Sequence, residues 1–234
     1  MKAAFSKAEL QAEIAGRFGD AFRIHEKVAV ETLSTGVAEI DALTDGLPRG
    51  AISEIFGPAS SGRTSLMYSL LTYATTHEET CALVDTNDVF APTAAIAAGM
   101  NFDRLLWVRC GGNLEHAFKA ADLLLHAGGF GLVVLDLGDV PGKEARRIIS
   151  SWWYRFRRTV EDRPTVLTVI SEEACTRSCA ALALELNGAA EWSRTSTRPW
   201  NGSLLRSNAI RVNRQRPLTS WMGASQYKAI ALSV

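Results

Sequence analysis

Apolar positions recur along this chain with two periods, and the two alternate. Leu10, Ile14 and Phe18 fall every four residues, just after the capping signature Ser6-Lys7-Ala8-Glu9, and predict an amphipathic helix ending near Gly19. A connector and an extended piece over 28–33 follow. Short apolar runs then predict strands over 51–56, 81–85, 104–109, 131–136, 164–170, 179–186, 208–215 and 226–232. Helical spacing between them predicts helices over 63–76, 91–99, 113–127 and 143–160. Such alternation implies an α/β fold, a mainly parallel twisted sheet with helices on both faces. The last strands come with little helix between them, so antiparallel pairing is expected at one edge. Residues 187–207, with Gly188, Pro199, Gly202 and several serines, read as a long loop. Two regions are expected: an N-terminal helix and connector over 1–27, and a core domain over 28–234.

Composition narrows the class. A chain of 234 residues with 47% hydrophobic side chains supports one sizeable domain with an appendage. The longest apolar runs, such as Leu132–Leu135, are strand-sized, which predicts no membrane span. Ala8, Glu9 and Glu13 sit where a signal peptide would need its apolar core, so a cytoplasmic protein is expected. Cys81, Cys110, Cys175 and Cys179 form no C-x-x-C pair and read as free thiols of a reducing compartment, not as metal ligands. The zero net charge hides an asymmetry. Residues 1–142 carry 10 basic and 18 acidic side chains; residues 143–234 carry 15 and 7. A basic second half points to an anionic partner or to head-to-tail self-association.

Three segments carry candidate chemistry. The first is Gly57 to Ser65, preceded by a strand pattern and followed by a helix pattern. Gly57, Gly62 and Thr64 meet the phosphate-loop pattern G-x-x-x-x-G-K-[ST], with Arg63 in the lysine position. In such a loop the backbone N–H groups of Ser60, Ser61, Gly62, Arg63, Thr64 and Ser65 would cradle phosphates, and Thr64 would hold Mg²⁺. Arginine keeps the charge but brings a wider, planar fork. The second segment is Gly131–Asp136, an apolar strand ending in a carboxylate that could hold Mg²⁺ through a water. The third is Arg146 and Arg147 with Trp152–Arg158. Arginines interleaved with aromatic rings suit phosphate contact and base stacking. Ile149, Trp152 or Trp153, and Phe156 also recur at core spacing. The expectation is a buried stripe with a rim of Arg146, Arg147, Arg155, Arg157 and Arg158 facing DNA or a partner. The N-terminal stripe of Leu10, Ile14 and Phe18 also needs a seat, on its own core, a second copy or a partner.

The residues Leu33–Asp41, Gly46–Gly50, Ile52–Thr64, Thr80–Asp85, the strand to Asp136, Val166–Glu172 and Ala209–Arg216 together resemble the RecA-like recombinase family. Within it they look most like the ImuA branch, RecA-like accessory proteins of inducible mutagenesis operons. The resemblance implies a RecA-like phosphate-loop core and a role in the SOS response to DNA damage, supporting translesion synthesis. It implies that Arg214 and Arg216 match basic residues reaching a neighbour's nucleotide. It also implies a catalytic glutamate where Asn87 stands, an adenine-stacking ring where Ala94 stands, and a γ-phosphate-sensing glutamine where Glu172 stands. Asn87 cannot take a proton from water, and the neighbouring Asp88 is one residue out of place. A mobile DNA-binding loop is trimmed to Leu137–Gly142. Two readings follow. One is a degenerate, non-hydrolysing adaptor that binds ATP and Mg²⁺ weakly at best and contacts a Y-family-like polymerase partner, RecA or both. The other is a short ATPase of recombinase type that binds ATP and single-stranded DNA.

Overall fold

The computed structural model describes residues 31–145 and 147–187, and beyond them only the strand segments 191–192, 204–205, 209–214 and 226–230. The predicted N-terminal helix with Leu10, Ile14 and Phe18 lies outside the described residues, as do Arg146 and Arg216. The described residues begin with a two-residue ladder. β1 (Thr32–Leu33) pairs antiparallel with β2 (Leu47–Pro48), and α1 (Ala38–Thr44) lies between them in sequence. Sequence periodicity does not pick out α1. It is only 7 residues long, and its position is set by Asp41, whose carboxylate accepts from Ser34 Oγ, Thr35 N and Thr35 Oγ1.

The core then alternates as the pattern predicts. β3 (Ala51–Phe56), α2 (Arg63–Thr76), β4 (Cys81–Asp85), α3 (Pro92–Ala98), β5 (Leu105–Arg109), α4 (Leu114–Ala127) and β6 (Leu132–Leu137) follow one another. After them come the short α5 (Gly142–Ala145), α6 (Ser150–Val160), β7 (Val166–Ser171), β8 (Ala180–Asn187), β9 (Glu191–Trp192), β10 (Leu204–Leu205), β11 (Ala209–Arg214) and β12 (Gln226–Ile230). The main sheet runs β12-β11-β8-β3-β7-β6-β4-β5. Its six strands from β8 to β5 are parallel, and β11 and β12 join antiparallel at the edge. The central strands β4, β6 and β7 are buried along their whole length, as expected when helices cover both faces. On one face Leu66, Leu70 and Leu71 of α2 pack over Ile55, Leu83, Val134 and Ile170. On the other, Phe118 and Leu125 of α4 and Trp153 and Phe156 of α6 pack over Val133, Leu135, Leu167 and Val169.

Two expectations need correction. The predicted helix 143–160 is two helices. Ile149 adopts φ −64° and ψ 126° at the start of α6, outside helical space. The buried stripe is therefore Trp153, Phe156 and Val160, while Ile149 is 68% exposed and Ile148 turns inward instead. The expected antiparallel pairing at one edge holds, with β11 antiparallel to both β8 and β12, while β8 itself runs parallel to β3. Eight residues, 172–179, make that crossover with no α-helix. Buried Glu54 in the middle of β3 holds them, accepting from Cys175 N (2.6 Å), Thr176 N (3.0 Å) and Thr176 Oγ1 (2.6 Å). The second correction is inside the predicted loop 187–207, where β9 and β10 pair antiparallel, with Trp192 opposite Leu204.

Candidate nucleotide-binding site

The phosphate-loop residues lie where β3 hands over to α2, at the C-terminal ends of the parallel strands. Such ends are where ligands bind in open α/β sheets. Gly57 is wedged between strands: its N–H reaches Ser171 O, and a Cβ there would lie 2.2 Å from Leu186 O. Ser60 and Gly62 both take positive φ, 64° and 96°, which folds the loop back on itself. No side chain caps α2, so the N–H groups of its first turn point out of the helix without intrahelical partners. Ser60 and Thr64 are exposed beside them, and Gly62 and Ser65 are half-buried.

Two polar groups in this loop are buried and unsatisfied. Arg63 is only 8% exposed, and its Nη1 has no hydrogen-bond partner. Ser61 Oγ is in the same condition. Thr86, just past the C-terminal end of β4, also buries a hydroxyl oxygen without a partner. Unpaired buried polar atoms of this kind call for an explanation, and a polar ligand supplies one. Sequence reasoning missed Thr86. The available signal is a hydroxyl closing an apolar strand run.

The carboxylates around the loop have separate fates. Asp136, at the end of β6, is buried and accepts a single backbone hydrogen bond from Gly138 N at 2.8 Å. Burial pushes its carboxyl up to about 6, helped by the nearby charges of Asp85 and Asp139; Gly138 N–H and Arg63 pull the other way. Asp85, at the end of β4, accepts from Val89 N, Phe90 N and Trp107 Nε1 at 3.0, 3.0 and 3.1 Å. It shapes the chain around Asn87. Asp88 does not replace a glutamate there. It sits at φ 60°, and its carboxylate accepts from Arg109 at 3.0 Å and Gly111 N at 3.2 Å. Asn87 is half-buried, and Glu172 is exposed just past β7.

Ala94, where the resemblance implies an adenine-stacking ring, packs against the core, and Tyr68 and Phe90 serve the fold: Tyr68 stacks on Phe90 at 5.3 Å, and its hydroxyl binds the backbone of Ala91. Arg214 lies in β11 opposite Leu182 and Gln226 in register. The structure therefore gathers the loop, Arg63 and Asp136 at one end of the sheet. It places Arg147, Arg155, Arg157 and Arg158 elsewhere, on or just before α6. Arg155 is already engaged, its fork closing on Asp122 of α4 with two contacts of 2.6 Å.

The RecA N-terminal domain family matches residues 8–144, more than half of the chain. The chain belongs to the RecA family. Among curated relatives it is similar to Protein RecA of Deinococcus radiodurans, 35% identical over 137 residues covering 51% of this chain and 38% of that protein. Proteins RecA of Rickettsia bellii and Rickettsia massiliae are each 36% identical over 111 residues, covering 47% of this chain and 32% of theirs. The chain thus spans about a third of the length of these RecA relatives. The match takes in the phosphate loop, the strand ending at Asp85 and the strand ending at Asp136. Among the described residues no helix is long and apolar enough to cross a membrane, and all four cysteines are buried free thiols.

Proposed function

We propose that this chain is a RecA-fold accessory protein of SOS-type DNA repair and translesion synthesis that has given up hydrolysis and works by contact. Its partners in this reading are a Y-family-like polymerase and RecA itself, in the cytoplasm. One observation carries the reading: no carboxylate is free to act as base after β4. Asp85 and Asp88 are committed to five hydrogen bonds between them, three and two, and Asn87 occupies the position where a base would stand. Loss of a general base alone lowers a rate by roughly 10²–10⁴. Thr64 and Asp136 offer the hard oxygen donors that Mg²⁺ prefers. The charge of Arg63, within electrostatic reach of Asp136, competes for the same carboxylate.

The test is steady-state phosphate release with ATP, Mg²⁺ and single-stranded DNA. The expected turnover is at or near background. Turnover comparable with an ordinary recombinase, abolished by Asp136→Asn, would overturn the reading. It would favour the alternative, an ATPase that binds ATP and single-stranded DNA, for which the unpartnered Arg63 Nη1 and Ser61 Oγ speak. A second handle is the N-terminal stripe. Deleting residues 1–20 separates docking in trans from packing on the chain's own core. Loss of self-association or partner capture at unchanged stability indicates the first, and a lowered melting temperature with complexes intact the second.

A further inference from the structure

One face of α6 is built like the centre of an interface. Ser150, Tyr154, Arg157 and Arg158 stand at spacings of three and four, so their side chains are neighbours on one side of the helix. That side lies away from α4, which Arg155 and Trp152 face through Asp122 and Phe118. Tyr154 is 56% exposed, and Ile149, immediately before the helix, is 68% exposed. Neither Arg157 nor Arg158 forms an ion pair among the described residues. A third arginine joins from a separate element: Arg177, in the crossover between β7 and β8, donates from Nη1 to Ser150 Oγ at 2.7 Å. Arg157 and Arg177 both lie within electrostatic reach of the Cys179 thiol.

From this face we infer a docking surface for an acidic, apolar-tipped segment of a partner protein. Three arginines from two elements give charge complementarity to carboxylates, and Tyr154 on the helix and Ile149 at its start give exposed apolar anchors. Tyrosine and arginine around an aliphatic contact is the composition of protein hot spots. The anatomy disfavours single-stranded nucleic acid here. A strand needs successive stacking platforms along a basic groove. Of the aromatic side chains on α6, Trp153 and Phe156 are buried, and Trp152 is half-covered by Phe118 and Arg155. Tyr154 is left as the one open ring on this helix.

The inference rests on the adaptor reading in supposing a protein partner, but its test is independent of nucleotide turnover. The probe is a fluorescein-labelled 14-residue peptide of Asp and Glu interrupted by two Phe and two Leu, followed by anisotropy against the full chain. Binding is expected to weaken at least tenfold in Arg157→Glu/Arg158→Glu and at least fivefold in Ile149→Ala/Tyr154→Ala. Lys119→Glu, on α4, should leave it within twofold. A control peptide with Ala in place of Phe and Leu should bind at least fivefold more weakly. Circular dichroism and melting curves check that each variant is folded. A variant that fails the check is replaced by Arg158→Ala, which is fully on the surface and should still cost about threefold. Absence of peptide binding, or binding indifferent to these substitutions, overturns the proposal. So does tighter binding of a twenty-nucleotide oligo-dT that competes with the peptide and depends on the same arginines. None of these results bears on phosphate release, so the docking surface and the loss of hydrolysis stand or fall separately.

Discussion

The ends of β4 and β6 are neighbours in the sheet, with Asp85 opposite Asp136, yet the two carboxylates live in different chemistry. Asp85 is completely buried and accepts from two backbone N–H groups and an indole. Asp136 is nearly as buried and accepts from one backbone N–H. A buried charge stabilises a fold only when its lone pairs are met by donors. The end of β4 is therefore a joint: it ties the chain after the strand to Trp107 of the edge strand β5. The end of β6 is an under-satisfied group beside a second one, Arg63, and keeps the character of a ligand site. In this molecule polar residues at strand ends are sorted by how many partners the fold gives them, not by which residues they are.

The sharpest way to break that comparison is to remove each carboxylate. Asp85→Ala strands three donors and should lower unfolding stability by about 3 kcal/mol or more. Asp136→Asn at pH 7 keeps the shape, removes an expensive charge, and should be neutral or stabilising. Urea denaturation of the two variants measures both. Equal losses would mean that Asp136 has donors the structure does not show, and the distinction would fail.

Much of the fold is legible in the sequence because periodicity reports burial. Strands β3 and β4 and helix α2 fall where the apolar pattern puts them, since each is either covered on both faces or nearly surrounded. The pattern fails where a polar contact sets the geometry. The crossover over residues 172–179 has no helix because Glu54 fastens its backbone directly, and nothing in the spacing announces that Glu54 points inward. The break at Ile149 is similar: a run of apolar and aromatic residues looks continuous until the backbone at one position leaves helical space. At the site, the loop and Asp136 are readable as a motif. The orphaned hydroxyl of Thr86 is not, because its meaning comes from having no partner in three dimensions.

The pH dependence sharpens the comparison with a smaller effect. The Asp136 carboxyl is raised from an ordinary 3.8 to about 6 in the fold. The folded state therefore holds a proton that the unfolded chain has already released between about pH 4 and pH 6. Stability should fall as pH rises through that window, by up to roughly 3 kcal/mol for a shift of this size. This slope is opposite in sign to that of a carboxylate whose folded pKa is depressed by ion pairing. Melting curves between pH 4 and pH 7 should show this leg in the wild type, and Asp136→Asn should flatten it. If the variant keeps the full slope, another group is responsible and Asp136 is not the strained member of the pair.

The smallest expected effect concerns what the under-satisfied end can still bind. The unpartnered Arg63 Nη1 and Ser61 Oγ, with the first-turn N–H groups of α2, can donate hydrogen bonds to phosphate oxygens. Three features work against strong binding: no ring at Ala94, the acid Glu172 where a neutral amide would be wanted, and the competition of Arg63 and Mg²⁺ for Asp136. A ligand present near its dissociation constant adds about 0.4 kcal/mol to stability, which is a shift of about 1 °C for a domain of this size. We therefore expect millimolar ATP with Mg²⁺ to raise the melting temperature by about 1 °C, and pyrophosphate to do the same, since the phosphates rather than the base are held. Arg63→Ala should erase both shifts while leaving the melting temperature without ligand almost unchanged. A much larger shift with ATP than with pyrophosphate would show that the base is recognised by residues other than Ala94. Shifts that survive Arg63→Ala would show that the loop's cation no longer serves it, and the end of β6 would then be as purely structural as the end of β4.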